Sequence, residues 1–401
     1  MSVVDAVDVA AVEAACAAVD PATPFGLYLH VPFCATRCGY CDFNTYTAGE
    51  LGSSSSPESW QAAVDRELAM AARLLIPQRP VSTIFVGGGT PSLLGAAGLR
   101  RLLDAVREHF ELTDDAEVTT ESNPESTSPE FFAGLLDAGF TRISLGMQSA
   151  APHVLKTLDR THTPGRAVAA AREAAAAGFD HINLDLIYGT PGESDDDLHA
   201  SLDAVLSTPV DHVSAYALIV EDGTALARRI RRGELPSPDD DVLAERYGIL
   251  DERLSAAGLH WYEVSNWAPT DAAACRHNLA YWYSHDWWGI GPGAHSHVAG
   301  VRWWNVKHPA RYANALADQR LPVAGQEVLT ASDQHEEAVM LRVRLREGLP
   351  ARLLGDDENA QAQHLCRDGL LDMNGQSYRL TPRGRLLADG VIRDILLAGE
   401  R

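Results

Sequence analysis

Between Gly26 and Leu218 the chain repeats one pattern six times: a short β-prone run, then a longer Ala-, Leu- and Arg-rich stretch with helical spacing. The β-like runs are Gly26–Val31, Thr83–Gly87, Glu117–Glu121, Arg142–Met147, His181–Ile187 and His212–Leu218, and Glu58–Leu75, Ala96–His109, Pro152–Ala177 and Asp195–Leu206 are among the helical ones. Strands alternating with helices run parallel, because each crossover returns the chain to the same end of the sheet. The expected fold is therefore α/β, a partial (β/α)6 barrel of TIM type with its helices outside. In such a barrel functional residues gather where strands end and loops begin.

The candidate residues of this chain fall at that rim. Cys34 follows the first run, Gly87-Gly88-Gly89-Thr90-Pro91 follows the second, and Glu121 ends the third. Gln148 ends the fourth, Asp185 and Tyr188-Gly189-Thr190-Pro191-Gly192 belong to the fifth, and Tyr216-Ala217-Leu218 closes the sixth.

Around this barrel, expected over residues 25–235, three further regions stand out. Residues 1–24 are rich in Ala, Val and Asp and lack Lys and Arg, which reads as a loose extension and not as a signal peptide. Residues 236–325 begin with a helix, Asp241–Ala257, and continue into a Trp- and His-rich α/β extension; Trp261 to Trp304 holds seven of the eight tryptophans. Residues 326–401 are helical, then turn at Asn374-Gly375 between two β-like pieces, with a helix after Thr381-Pro382, the pattern of a small winged-helix-like domain. The serine run in Gly49–Pro57 reads as a flexible loop.

Charge narrows the partners. Lys+Arg 33 against Asp+Glu 55 leaves a formal −22, a field that repels phosphate backbones, so no nucleic-acid partner is expected and the C-terminal domain reads as structural or docking. The short cluster Arg228, Arg229, Arg231 and Arg232 reads as a solvated helix end. No apolar run approaches the roughly 18 residues of a transmembrane segment. Six cysteines, three of them clustered, suit a cytoplasmic metal protein better than a disulfide scaffold.

Those three, Cys34, Cys38 and Cys41, stand in a C-x3-C-x2-C spacing within YLHVPFCATRCGYCDFN. One reading is a structural zinc site, which wants a fourth ligand such as His30 or Cys275. The other is a [4Fe-4S] cluster held by three thiolates, with one iron open to a ligand. The glycines of GGGTP let backbone approach a ligand, and Glu121, Gln148, Arg160 and Asp185 offer polar groups there; each alone could equally serve the fold.

The cysteine spacing, with Tyr40 before the last thiol, resembles the radical S-adenosylmethionine (SAM) superfamily. LYLHVPFCATRCGYCDFN, FVGGGTPSLL, MQS, LDLIYGTPGE and GIGPGAHS extend the resemblance over roughly residues 25–395 to the HemN/HemW subgroup, which contains oxygen-independent coproporphyrinogen III dehydrogenase and a heme chaperone. The resemblance implies a [4Fe-4S] cluster on Cys34, Cys38 and Cys41, whose open iron chelates SAM and whose electron cleaves the sulfonium to a 5′-deoxyadenosyl radical. It implies SAM contacts by Tyr28, Tyr40, Gly88, Gly89, Thr90, Glu121, Gln148, Arg160, Asp185 and Ala217.

Two features separate the branches. The dehydrogenases carry a further cysteine two residues after the third, where this chain has Phe43. The chaperones carry H-N-x-x-Y-W, present here as His277-Asn278-Leu279-Ala280-Tyr281-Trp282. An imidazole can ligate heme iron and the aromatic faces suit a macrocycle, although a His beside Tyr and Trp also occurs in ordinary packing. On this resemblance His277, Asn278, Tyr281, Trp282 and the neighbouring Cys275 form a heme site, with His285, His295 and His297 further candidates nearby. Cys16 and Cys366 read as unrelated packed residues. The partners implied are heme, hemoprotein acceptors and an electron donor, with a homodimer as a further option. Heme carriage leads; oxidative decarboxylation of coproporphyrinogen III is the alternative.

Overall fold

The computed structural model describes residues 9–52 and 55–399. Six strands, β1 (Phe25–Val31), β2 (Val81–Gly88), β3 (Leu112–Ser122), β4 (Arg142–Gln148), β5 (His181–Tyr188) and β6 (His212–Ala217), pair in parallel in chain order. Alternate residues (Leu27, Leu29, Ile84, Val86, Ile143, Leu145, Leu184 and Leu186) are buried in one core with the surrounding helices. The other face carries Tyr28, Thr83, Phe85, Glu117, Arg142, Ser144, Asn183 and Asp185, joined by hydrogen bonds and ring contacts.

Local chemistry sets the helix limits. Ser56, Ser128 and Ser194 each accept a backbone N–H at a helix start, two of them followed by Pro in the first turn. Gly139 and Gly178, at φ 99° and 113°, end two of the outer helices. The single helix expected over Pro152–Ala177 is instead two, Pro152–Thr157 and Arg166–Ala177. Pro164 disfavours helix at Thr163, and Gly165 restarts it from φ 78°, so Arg160 sits in a loop.

The N-terminal extension is not loose over residues 9–17. Val9–Ala17 is a helix whose Val12 and Cys16 are fully buried in the barrel's core; residues 1–8 lie outside the described residues, as do Ser53 and Ser54 of the serine run.

The sheet does not stop at six strands. β7 (His260–Glu263) and β8 (Asn266–Ala268) add antiparallel beyond β6. On the opposite side β9 (Asp286–Ile290) runs parallel to β1, followed by antiparallel β10 (His295–Val298), β11 (Val301–Asn305) and β12 (Val323–Val328). The twelve strands lie in the order β12-β11-β10-β9-β1-β2-β3-β4-β5-β6-β8-β7, an open sheet. Trp261, Trp267, Trp288 and Trp303 join the barrel's core, so the strands of the Trp-rich stretch widen the barrel.

The C-terminal residues form helices Ala331–Arg342, Asp356–Arg367 and Ala388–Gly399 around a three-stranded sheet of β13 (Leu349–Pro350), β14 (Leu371–Asn374) and β15 (Ser377–Leu380). This unit has its own core, including Val339, Leu365, Tyr378 and Ile395. It touches both flanks of the open sheet. Glu337 pairs with Arg302 of β11 at 2.7 Å, while Arg346 donates its amide to Tyr262 of β7 at 2.9 Å and Leu345 bridges Glu263. No helix among the described residues is long and apolar enough to cross a membrane.

Candidate cluster and cofactor site

The loop after β1 is pinned at several points. Thr90 donates its amide to Phe33 and Gly89 donates to Val31, each at 2.7 Å, while Cys34 donates to Tyr46 at 3.0 Å. Glycine is required at 89, because a Cβ there would collide with the Phe33 carbonyl. Cys34, Cys38 and Cys41 line one cavity of about 780 Å³ at the C-terminal ends of the strands. Arg160 donates to the Cys38 sulfur at 3.1 Å and Thr90 to that of Cys34 at 3.7 Å.

The spread of the three sulfurs bears on the choice between a single ion and a cluster. A tetrahedral zinc with Zn–S bonds near 2.3 Å holds its thiolates about 3.8 Å apart. Among the described residues, Asp65, Glu108 and His109 bring three ligand atoms within 4.8 Å of one another, and the three cysteine sulfurs are spread more widely than that. Three thiols facing one cavity at wider spacing fit the separate corners of a cluster.

Nine of the ten residues implied for SAM line this cavity: Tyr40, Gly88, Gly89, Thr90, Glu121, Gln148, Arg160, Asp185 and Ala217. Gly88, at φ 108°, donates its amide to Glu121 at 3.0 Å. Arg160 donates to Gln148 at 3.0 Å, and a Cβ at Gly146 would come within 2.7 Å of the guanidinium and 2.8 Å of the Gln148 amide. Gln148 itself holds φ 61°, a left-handed conformation that turns its side chain at the strand end. Burial, and then the Asp185 charge, push the Glu121 carboxyl up to about 8. Burial also raises Asp185, against the hydrogen bonds it accepts from Asn183 and Ser144. The exception is Tyr28, which sits deeper in the barrel and shares a hydrogen bond with His30 at 3.1 Å.

The H-N-x-x-Y-W motif lies elsewhere, on the helix Arg276–Trp282 at the N-terminal ends of the strands. None of its residues lines the rim cavity. His277 is buried at 1 % exposure, and both ring nitrogens are engaged, with Thr83 at 2.8 Å and Tyr281 at 2.9 Å. Its ring stacks on Phe85 at 5.3 Å, and burial lowers its pKa to about 4. An iron ligand needs an open nitrogen, and in this conformation His277 has none. Cys275 is not an open thiolate either: burial first, then Glu117, raises its pKa, and the thiol donates to Glu117 at 3.5 Å. Asn278 directs its amide at that sulfur, and Trp282 donates to the buried Glu263. His297 is buried and bonded to the His285 carbonyl at 3.2 Å, and His285 stacks on Tyr283.

Two sets of residues escaped the sequence reading. Glu117 accepts the amides of Arg276 and His277, each at 3.0 Å, and pairs with buried Arg142 at 3.2 Å. Its signal was the period of two in β3, which puts Glu117 on the same inner face as Glu121. Arg385 and Leu386 of the C-terminal domain, with Phe43, Ile219 and Val264, line the cavity mouth. Phe43 is 61 % exposed and Ile219 67 %, so large apolar side chains of the lining reach solvent.

Comparison with known proteins adds to this geometry. The family model for the radical SAM superfamily matches residues 28–205, and that for the HemN C-terminal domain matches residues 329–387. Heme chaperone HemW of Mycobacterium tuberculosis (strain H37Rv) is 63% identical over 376 residues, spanning 94% of this chain and 96% of that protein. HemW of Escherichia coli (strain K12) is 33% identical, spanning 92% and 97%. The solved structure of coproporphyrinogen III oxidase (HemN) from Escherichia coli, a radical SAM enzyme, matches with TM-score 0.82 at 25% identity, covering 97% of this chain and 92% of that one.

Proposed function

Since the chain belongs to the radical SAM superfamily, and within it to the heme chaperone HemW family, we propose that it binds heme and passes it to hemoprotein acceptors. The near full-length likeness to HemW carries the proposal. The rim site is read as a [4Fe-4S] cluster on Cys34, Cys38 and Cys41 beside SAM. When bound, that pair supplies one-electron chemistry at the sulfonium. The residues of this chain do the rest: Gly88, Gly89 and Thr90 present backbone to the ligand, Glu121 and Asp185 face its polar groups, and Arg160 braces the Cys38 thiol. An external electron donor for the cluster and pairing of two copies belong to the same reading. On this reading the heme site belongs to the inner sheet face near His277, Asn278, Tyr281, Trp282 and Cys275, with the motif helix as its support.

One observation bears on the decarboxylating alternative. Its substrate is a polycarboxylate, which wants free cations, but the cavity carries Asp42, Glu121, Asp185, Glu221 and Asp240. Two of its arginines are already committed, Arg160 to Cys38 and Gln148, and Arg385 to Asp251. Phe43 stands where the dehydrogenases carry a further cysteine. The deciding experiment titrates ferric heme into cluster-reconstituted protein and separately supplies coproporphyrinogen III, SAM and a reductant. Stable heme binding without protoporphyrinogen is the expected result; cysteine-dependent protoporphyrinogen formation sinks the proposal.

A further inference from the structure

His277 has no free nitrogen, but the sheet that its helix supports carries another imidazole that does. Across β10 and β11 His295 pairs with Trp304, and across β9 and β10 His297 pairs with Trp287. Trp287, His295, His297 and Trp304 therefore stand on one face, while Trp288, Ser296 and Trp303 are buried on the other. His295 is exposed, and its ring nitrogens have no hydrogen-bond partner among the described residues. Trp304 stacks on it at 5.7 Å and 26°. The antiparallel register sets His295 across from Gly289, which has no side chain to cover it. On the far side Trp304 lies over Gly325, where a Cβ would run into the indole.

The motif backs this face from the side. Tyr281, held by His277, meets Trp287 edge-on at 4.7 Å. One cation beside this face is uncompensated in a chain of formal −22. Arg302 is taken by Glu327 at 2.6 Å and Glu337 at 2.7 Å. Lys307 is exposed with no carboxylate partner among the described residues, and its carbonyl accepts the Asn44 side chain of the cluster loop at 2.8 Å. Burial first, then Lys307 and Arg302, lower the His295 pKa, so the ring is neutral and keeps its lone pair at neutral pH.

We infer that His295 is the axial iron ligand of a heme seated on this face, with Trp304 and Trp287 beside the macrocycle and Lys307 paired to a propionate. The inference rests on the heme-carrier reading. Coordination forms one Fe–N bond from the imidazole lone pair, displacing water from the iron, with no change of oxidation state. His277 becomes a positioning residue that acts through Tyr281 and Trp287. An exposed imidazole with an open nitrogen, flat neighbours and an unpaired cation are the elements heme recognition needs.

The test titrates ferric heme into the full chain and into H295A, H277A and K307A, following the Soret band and the low-temperature EPR spectrum. H295A is expected to bind at least about tenfold more weakly, with a changed spectrum that added imidazole restores. H277A is expected to weaken binding while keeping the wild-type spectrum. K307A is expected to weaken heme about twofold to fivefold and leave heme dimethyl ester unaffected. Wild-type affinity and spectrum in H295A, while the parent chain binds heme, overturn the inference alone. A parent chain that binds no heme overturns the carrier reading as well. His295 is exposed, so circular dichroism of H295A should match the parent and separate loss of ligation from loss of fold.

Discussion

Glu117 holds His277 by its backbone: a carboxylate oxygen on β3 accepts the His277 amide at 3.0 Å, from a residue 160 positions earlier. The other oxygen takes the Arg276 amide and the Arg142 guanidinium. One buried side chain thus caps the motif helix and neutralises a buried arginine. Glu117→Ala would leave Arg142 charged and unpaired. A loss of about 3–5 kcal/mol is expected, read as a lower denaturation midpoint in urea. Glu117→Gln should lose less, since the amide oxygen can still accept one of the N–H groups. Equal stability of Glu117→Ala and the parent would remove this role.

The six cysteines should differ sharply in reactivity when the cluster is absent. Burial drives the Cys16 thiol up to about 12 and raises Cys275 as well, and both are sealed from solvent. Cys34, Cys38 and Cys41 line an open cavity. Iodoacetamide is therefore expected to modify the loop cysteines before Cys16 and Cys275, and reconstitution with iron and sulfide should protect them, as mass spectrometry of digests would show. Early labelling of Cys16 would contradict the packing of the N-terminal helix.

The contribution of two buried carboxyls to the stability of the ligand-free chain should fall from pH 5 to pH 8. Glu121 is raised from 4.5 to about 8, chiefly by burial, and Glu263 likewise to about 8. In that window the folded chain keeps protons that the unfolded chain releases, so stability is full below about 4.5 and is lost as pH rises through the folded pKa. Glu121→Gln should flatten part of this slope. His277, lowered to about 4 from 6.5, acts in the opposite sense: its contribution is present above 6.5 and lost as pH falls towards 4. Urea titrations at a series of pH values measure both, and a slope that Glu121→Gln leaves untouched would reject the assignment.

Arg385 is the clearest tie between the C-terminal domain and the barrel. It reaches Asp251 at 2.5 and 2.9 Å and lies over the Trp261 ring at 4.8 Å. Arg385→Ala should cost about 1–3 kcal/mol and speed proteolytic release of the domain. Arg385→Lys is expected to recover only part, because an ammonium cannot span both carboxylate oxygens. Digestion at the parental rate in Arg385→Ala would assign the docking to other contacts.

Much of the barrel was legible because its rules are local. The β-prone runs located all six strands, although β3 starts at Leu112, five residues before the expected Glu117. The break at Arg160 was written in Thr163-Pro164-Gly165 and needed only the effect of a proline on its predecessor. The helix Val9–Ala17 was hidden by its composition: an Ala-rich run has no apolar stripe, and its burial comes from a core assembled far along the chain. The height of His277 was beyond the sequence for the same reason. Its helix is positioned by β9 joining β1 and by Glu117, and neither contact leaves a mark near residue 277. Arg385 and Leu386 reach the rim cavity from a domain with its own core, which no local pattern reports.

The two flanks that the C-terminal unit touches belong to one unclosed sheet, with Arg302–Glu337 on one side and Tyr262–Arg346 on the other. A barrel with missing staves needs a hoop, and residues 337–346 supply it. Cutting the chain between the two hydrophobic cores would therefore not yield two independent pieces. The larger fragment would keep its cysteines and its glycine run but lose the contacts that link its two flanks. The open sheet is thus bridged by residues that do not line the cofactor cavity.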